Sequence, residues 1–545
     1  MTSRNTLPAV ARVADSIAGT LAAHGVTDAF GMPGGEVVTL VDGLEKAGIT
    51  FHLARHETAA AIMAAGAAVV SGRPQLLVTT VGPGLANAVN GIADALQERV
   101  PLIVISGIVD HSTRGRYTHQ VIDHSKLLAP IVKASFEIEA ESAASTVARA
   151  IAIATTAPMG PVHLDLSPAV AAMTGPERHL VSPPAILRPA IRFDDPAVVT
   201  VLERISHAER PLILAGFEAS RAGAGAALRS LAEALGAPVL TTYKGKGVIP
   251  ESHRLALGGA GLSPRADGIL LPLCQRADLI LAIGYDPIEM RLGWLDFAGD
   301  GAKLIEITEA AVDHGMHHAG TQVVAPLAPF VDALAIKAAG IPGWADGEPE
   351  AARAALARLF SATPAWGPHA IVEALQEEAG DAATVTVDSG AHRILLSQKW
   401  VAQKPLALLQ SAGFCTMAAA LPLAIGVAIA APERRIFAVM GDGGLEMGIG
   451  ELATVRDQKL PLTIIVFQDR SLALIALKQA SSGLQPIGVE LGLTDFAAVA
   501  HGFGGYGINV ETLDDFRNEL AAARERRCFS LICCRFDAAA YAGAF

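Results

Sequence analysis

Apolar and polar positions along this chain group into short apolar runs separated by amphipathic stretches, and the clearest instance lies between residues 436 and 475. An apolar run from Ile436 to Met440 ends at Gly441-Asp442-Gly443-Gly444, a helix-like segment follows from Glu446 to Lys459, and a second apolar run from Leu462 to Phe467 ends at Gln468-Asp469. Short apolar runs bounded by glycine and polar residues read as buried parallel strands, with a crossover helix between them. A right-handed crossover returns the second strand beside the first. Asp442 and Asp469, 27 positions apart, are therefore expected at neighbouring strand carboxyl ends, facing one crevice.

The same alternation fills the rest of the chain. From residue 1 to about 180 it predicts a helix (Ala9 to His24) stopped by Gly25, a short strand Asp28-Ala29-Phe30, and then Gly34-Gly35-Glu36. The strand ITFHLA follows, then Arg55-His56-Glu57 opening an alanine-rich helix, a strand from Leu76, a Gly82-Pro83-Gly84 turn, a helix carrying Asn87 and Asn90, and the strand LIVISG. A second unit has strands at PLILAG, APVLTT, LILAIG and KLIEIT. Five prolines between 174 and 196 mark one linker, and a second is expected near 341–366. The pattern predicts three doubly wound, parallel-sheet α/β domains at 1–180, 190–340 and 360–545.

Composition narrows the function classes. At 545 residues the chain exceeds one core, and 51% hydrophobic residues with mean hydropathy +0.40 allow large cores and buried subunit contacts. A net charge of −12 opposes binding to a phosphate backbone, so no nucleic-acid partner is expected. The five cysteines form no CxxC pair and read as reduced thiols, and residues 1–16 contain no apolar signal core, so a cytoplasmic location is expected. Residues 405–432 carry no formal charge, but Pro422 interrupts the run; a core helix is expected there rather than a membrane span.

Glycines beside Asp442 let backbone approach a phosphate, and two acids near a diphosphate suit Mg²⁺, which takes hard oxygen ligands. The stretch from GDGG to Gln468-Asp469 resembles the diphosphate motif of the thiamine diphosphate enzymes of the acetolactate synthase and pyruvate decarboxylase group, with Gln-Asp where relatives usually carry Asn-Asn. The resemblance covers nearly the full length and names the domains: pyrimidine-binding, middle and diphosphate-binding. It implies that Asp442, Asp469 and the Ser471 carbonyl bind Mg²⁺, with cofactor contacts from Gly441, Gly443, Gly444 and Leu472. Asp388-Ser389-Gly390-Ala391-His392, at a strand end, corresponds to further diphosphate contacts. Ser411 to Met417 resembles the segment that puts the Cys415 carbonyl on the aminopyrimidine and Met417 beneath the bent cofactor.

The first domain carries the same resemblance. Glu57 follows its strand in an RHE context and corresponds to the carboxyl that shares a proton with the aminopyrimidine, and Gly82 adds a cofactor contact. Thr118-His119-Gln120 resembles the segment of catabolic, FAD-independent acetolactate synthases, placing His119 and Gln120 on the substrate side; Gly35 and Leu474 are further substrate candidates. Lys478, four residues after Leu474, reads either as a substrate contact or as a solvated helix charge. In anabolic relatives the middle domain holds FAD, and the residues here leave FAD open. The resemblance implies a homodimer or homotetramer with intersubunit active sites. It also implies decarboxylation of a 2-oxo acid, the remaining acyl unit being joined to a second carbonyl as in acetolactate synthases. Alternatives are a simple decarboxylase, a lyase or hydrolase acting on an acyloin or diketone, as Glu36, Cys415 and Asp469 allow, and a silent binding homologue.

Overall fold

A computed structural model describes residues 11–174, 181–184, 190–312, 314–338, 343–361 and 364–544. The chain forms two compact units, one of Met1–Leu187, Leu421–Glu433 and Gly448–Leu460, the other of Arg188–Ala420, Arg434–Met447 and Pro461–Phe545.

Each of the three expected α/β regions is a six-stranded, wholly parallel sheet. In the first, the strands lie in the order Thr50–Leu53, Asp28–Gly31, Gln75–Thr79, Leu102–Gly107, Val162–Leu166, Ala134–Glu137. The second runs Thr321–Val324, Leu304–Thr308, Leu279–Ile283, Pro211–Ala215, Val239–Thr241, Ala256–Gly259. The third runs Leu408–Gln410, Thr384–Val387, Ile436–Gly441, Thr463–Gln468, Ser530–Arg535, Tyr506–Val510. Central strands such as Leu102–Gly107 and Leu279–Ile283 are buried at every position, which is why they read as continuous apolar runs rather than alternating ones.

In each sheet the first strand has its successors on one side and the later strands on the other. The chain therefore reverses winding direction between Asp28–Gly31 and Gln75–Thr79, between Pro211–Ala215 and Leu279–Ile283, and between Thr384–Val387 and Ile436–Gly441. Crevices open at the carboxyl ends of strands at such reversals, and open α/β sheets bind ligands there.

Three expectations about elements need amendment. The helix expected from Glu446 to Lys459 is two, Asp442–Gly448 and Glu451–Asp457, interrupted where Gly448 and Gly450 weaken helix propagation, and the first begins at Asp442 itself. The second expected linker contains a twelve-residue helix, Glu348–Leu359, with Pro349 and two acids in its first turn. The middle sheet gains two edge strands, Ala256–Gly259 and Thr321–Val324, that the apolar runs did not single out. The first helix is described as Val13–Ala23, and the start expected at Ala9 lies outside the described residues, as do parts of both linkers. The uncharged 405–432 run is a strand, a loop and the helix Ala420–Ala430; no helix among the described residues is long and apolar enough to cross a membrane.

Candidate active site

Asp388 and Asp442 sit where the third sheet reverses direction. Strand Thr384–Val387 ends just before Asp388, Ile436–Gly441 just before Asp442, and the adjacent Thr463–Gln468 just before Asp469. The pairing Gly441↔Phe467 brings the last two strand ends level, so the spacing of 27 residues does bring both acids to one crevice edge.

Both acids are held by backbone amides. Asp442, only 4% exposed, accepts from the Gly443 N–H through Oδ1 and from the Arg470 N–H through Oδ2, each at 2.8 Å. Asp469 Oδ1 accepts from the Ser471 N–H, also at 2.8 Å. Burial pushes the Asp442 carboxyl upward, and burial followed by the charge of Asp442 pushes Asp469 up to about 7. Two carboxyls destabilised by burial and by one another match a divalent cation, which would reverse the second effect and compensate the first. Arg470 between them adopts φ 59°, a conformation costing a non-glycine residue about 1 kcal/mol or more, so the Asp442 bond keeps this turn in place against its preference.

Ser389 to His392, Met417, Gly441 to Gly444, Asp469, Ser471, Leu472 and Leu474 line one cavity of about 120 Å³. Asp388, fully buried and not itself part of the lining, braces it: Oδ1 bonds His392 Nε2 and Oδ2 accepts from the Ala418 N–H, both at 2.9 Å. A Cβ on Gly444 would stand 2.0 Å from Asp388 Oδ2, so only glycine leaves backbone and carboxylate this close. The hard oxygen donors of Asp442 and Asp469, beside side-chain-free backbone, fit a diphosphate with its Mg²⁺.

Two residues expected at the site from this same compact unit lie outside that lining. Cys415 is exposed on the neighbouring loop at φ 56°, its thiol donating to the Ala412 carbonyl at 3.1 Å, and Lys478 is exposed on the helix Ala473–Ser481. The sequence reading missed Arg393, which is 6% exposed and donates through one amino group to the Ser411 carbonyl (2.6 Å) and through the other to Cys415 Sγ (3.4 Å). Its only signal was a charge in a helix that otherwise buries its residues.

Glu57 belongs to the other compact unit. It opens the helix Glu57–Ser71, is 4% exposed, and its Oε2 accepts from Asn87 Nδ2 at 3.0 Å. The backbone at Asn87 is tied to the same helix, its main-chain carbonyl accepting from Thr58 Oγ1 at 2.5 Å, so the two helices orient the carboxyl jointly. At the reversal point of the first sheet, Glu36 Oε2 accepts from Thr80 Oγ1 at 2.7 Å, and Gly35 is exposed.

Gly82 adopts φ 35°, ψ −89°, and a Cβ there would lie 2.2 Å from the Gln120 carbonyl oxygen. Its N–H donates to His124 Nε2 (3.3 Å), while His124 Nδ1 bonds Asp165 Oδ1 (2.7 Å). The backbone of Gln120 thus packs on Gly82, whereas the side chains of His119 and Gln120 remain exposed in the chain. The His124–Asp165 support was not legible, because its members are 41 residues apart.

Comparison with known proteins covers all three sheets. Residues 11–127 match the family described as thiamine pyrophosphate enzyme, N-terminal TPP binding domain; 198–334 match its central domain and 388–534 its C-terminal TPP binding domain. The acetolactate synthase of Bacillus subtilis is 29% identical over 93% of this chain and 90% of its own length. A probable acetolactate synthase large subunit of Methanocaldococcus jannaschii is 30% identical over 94% and 89%, and the acetolactate synthase isozyme 3 large subunit of Escherichia coli 29% over 94% and 92%. The protein is thus an enzyme using thiamine diphosphate and Mg²⁺ for 2-oxo acid chemistry. The chain belongs to the thiamine diphosphate-dependent enzymes, in their acetolactate synthase-like group.

Proposed function

We propose that this enzyme decarboxylates one 2-oxo acid, pyruvate or a close relative, and joins the remaining acyl unit to the carbonyl of a second, as an acetolactate synthase does. The observation that carries this reading is the buried Glu57 carboxyl locked onto Asn87 at 3.0 Å, in a chain aligned along nearly its whole length with acetolactate synthases.

Bound thiamine diphosphate supplies a nucleophilic carbon and a sink for the electrons released with CO₂. Asp442, Asp469 and the Ser471 carbonyl hold Mg²⁺, and the glycines from 441 to 444 receive the diphosphate. Ser389, Gly390, Ala391, His392 and Leu472 contribute further contacts, Met417 shapes the apolar wall, and the Cys415 carbonyl and Gly82 meet the aminopyrimidine end. Glu57 exchanges a proton with that ring, its carboxyl kept in one orientation by Asn87. His119 and Gln120 orient the substrate carbonyl, with Gly35, Leu474 and Lys478 around it. From the similarity to acetolactate synthases we infer a homodimer or homotetramer in which one copy's Glu57 completes another's Mg²⁺ site. The five free cysteines suit a cytoplasmic enzyme.

Glu36 favours a second reading. A carboxylate beside Gly34, bonded to Thr80, opposes two anionic substrates at once and suits cleavage of a neutral acyloin or diketone. Proton NMR of the protein with thiamine diphosphate, Mg²⁺ and pyruvate separates the two. Acetolactate supports the synthase; acetaldehyde points to simple decarboxylation, and cofactor binding without turnover of pyruvate to the lyase reading. A folded chain that binds no thiamine diphosphate would instead be a silent homologue.

A further inference from the structure

The middle sheet carries a cluster of titratable groups that the reaction does not use. Glu306 lies on the strand Leu304–Thr308, and its Oε1 is 3.1 Å from His314 Nε2 and 3.2 Å from His317 Nε2, both on the segment after that strand. All three side chains are largely buried, at 7%, 13% and 5% exposure, and their ligating atoms lie within 4.8 Å of one another. Gln322 Nε2 reaches Glu306 Oε2 at 3.4 Å from the adjacent strand and fixes the carboxylate plane. The His317 ring stacks on Tyr285, with centroids 5.7 Å apart, and meets Phe297 edge-on.

We propose that Glu306, His314 and His317 form a binding site for a divalent transition metal of the Zn²⁺ class, separate from the Mg²⁺ centre, with the fourth coordination position left to water. In a tetrahedral site with bonds of about 2.0–2.1 Å, ligand atoms stand about 3.3 Å apart, close to both carboxylate–imidazole separations here. Two imidazoles and one carboxylate suit Zn²⁺ and Co²⁺, whereas Mg²⁺ prefers six oxygens, so the two sites select different ions.

The tautomers decide what metal entry requires. His317 Nδ1 is buried with no hydrogen-bond partner, so it can carry the ring proton while Nε2 binds metal. His314 Nδ1 accepts from the Met316 N–H at 3.1 Å, so that contact must open when Nε2 is ligated. One neutral hydrogen bond shifts an equilibrium about tenfold at most, far less than the affinity of a His₂Glu set for Zn²⁺. The other cluster of this type, His124, His163 and Asp165, differs, because all four ring nitrogens there already have protein partners.

The test uses the full chain, freed of transition metal by chelation and returned to saturating Mg²⁺ and thiamine diphosphate. It is titrated with Co²⁺, read by visible absorption, and with Zn²⁺, read by calorimetry. One equivalent per chain is expected, with the absorption of four-coordinate Co²⁺, and Glu306→Gln and His317→Ala should each weaken binding about 100-fold or more while cofactor-dependent turnover stays within about twofold. Glu306→Gln keeps an acceptor for both rings, so circular dichroism should report an intact fold. Absence of saturable Co²⁺ or Zn²⁺ binding by the parent chain, or equal binding by both variants, would overturn the proposal.

Discussion

The amide of Arg470 donates to Asp442 Oδ2 across 2.8 Å, and this bond ties the residue next to Asp469 onto the other acid of the pair. The two strand ends are thereby joined by more than their pairing, and both carboxyls are aligned before any cation arrives. Asp442→Ala removes one proposed ligand and the acceptor of two amides together, so Mg²⁺-dependent thiamine diphosphate binding should weaken about 100-fold or more. Calorimetry of cofactor binding with and without Mg²⁺ checks this, and unchanged Mg²⁺-dependent affinity would exclude Asp442 as a ligand.

Gly444→Ala should act on the same cavity by steric means. Its new Cβ would stand 2.0 Å from Asp388 Oδ2, a carboxylate already committed to His392 and the Ala418 amide, so Asp388 or the Gly441–Gly444 backbone must move. Cofactor affinity is expected to fall at least about tenfold, with a stability loss of about 1–3 kcal/mol. Cofactor titration and thermal melts of the same sample measure both.

His163 predicts an acid-sensitive fold. Its ring is fully buried between the Ser106 and Ser135 hydroxyls, and burial, only partly offset by Asp165, lowers its pKa to about 4. The unfolded ring titrates near 6.5, so the unfolded chain binds more protons in between. The contribution of His163 is therefore fully present above pH 6.5 and is lost as pH falls towards 4, amounting to about 2 kcal/mol by pH 5. Urea unfolding at pH 7.5 and 5 should detect this, and His163→Asn should shrink the difference.

The proposed sharing of the site between copies has its own signature. Glu57→Gln and Asp442→Ala should each be nearly inactive alone. Coexpressed as a random mixture, half of the dimers pair one with the other, and each such dimer has one undamaged site, restoring roughly a quarter of wild-type activity. No recovery would mean that both groups must come from the same chain.

The residues that were legible are those whose signal is local. Gly441 to Gly444 and Gln468-Asp469 stand at the ends of apolar runs, and Glu57 opens the helix that follows a strand end, so topology alone puts them at crevice edges. The supports of those residues depend on tertiary contacts and left no pattern: Asn87 reaches Glu57 from another helix, and Arg393 buries its charge against a loop carbonyl. The two edge strands of the middle sheet are short and weakly apolar, and helix Glu348–Leu359 was hidden in a stretch rich in Pro, Gly and acids. The helix break at Gly448 and Gly450 was in principle readable, since two glycines so close together oppose a continuous helix.

The most direct test of the account is the rate at which the thiazolium C2 proton of bound thiamine diphosphate exchanges with deuterium, followed by acid quench and proton NMR. Wild-type protein with Mg²⁺ should exchange it far faster than free cofactor. Glu57→Gln should bind the cofactor within a few-fold of wild type yet slow the exchange by about 10²–10⁴-fold. Exchange at the wild-type rate in Glu57→Gln would contradict the assignment of Glu57 as the proton carrier on which the proposed chemistry depends.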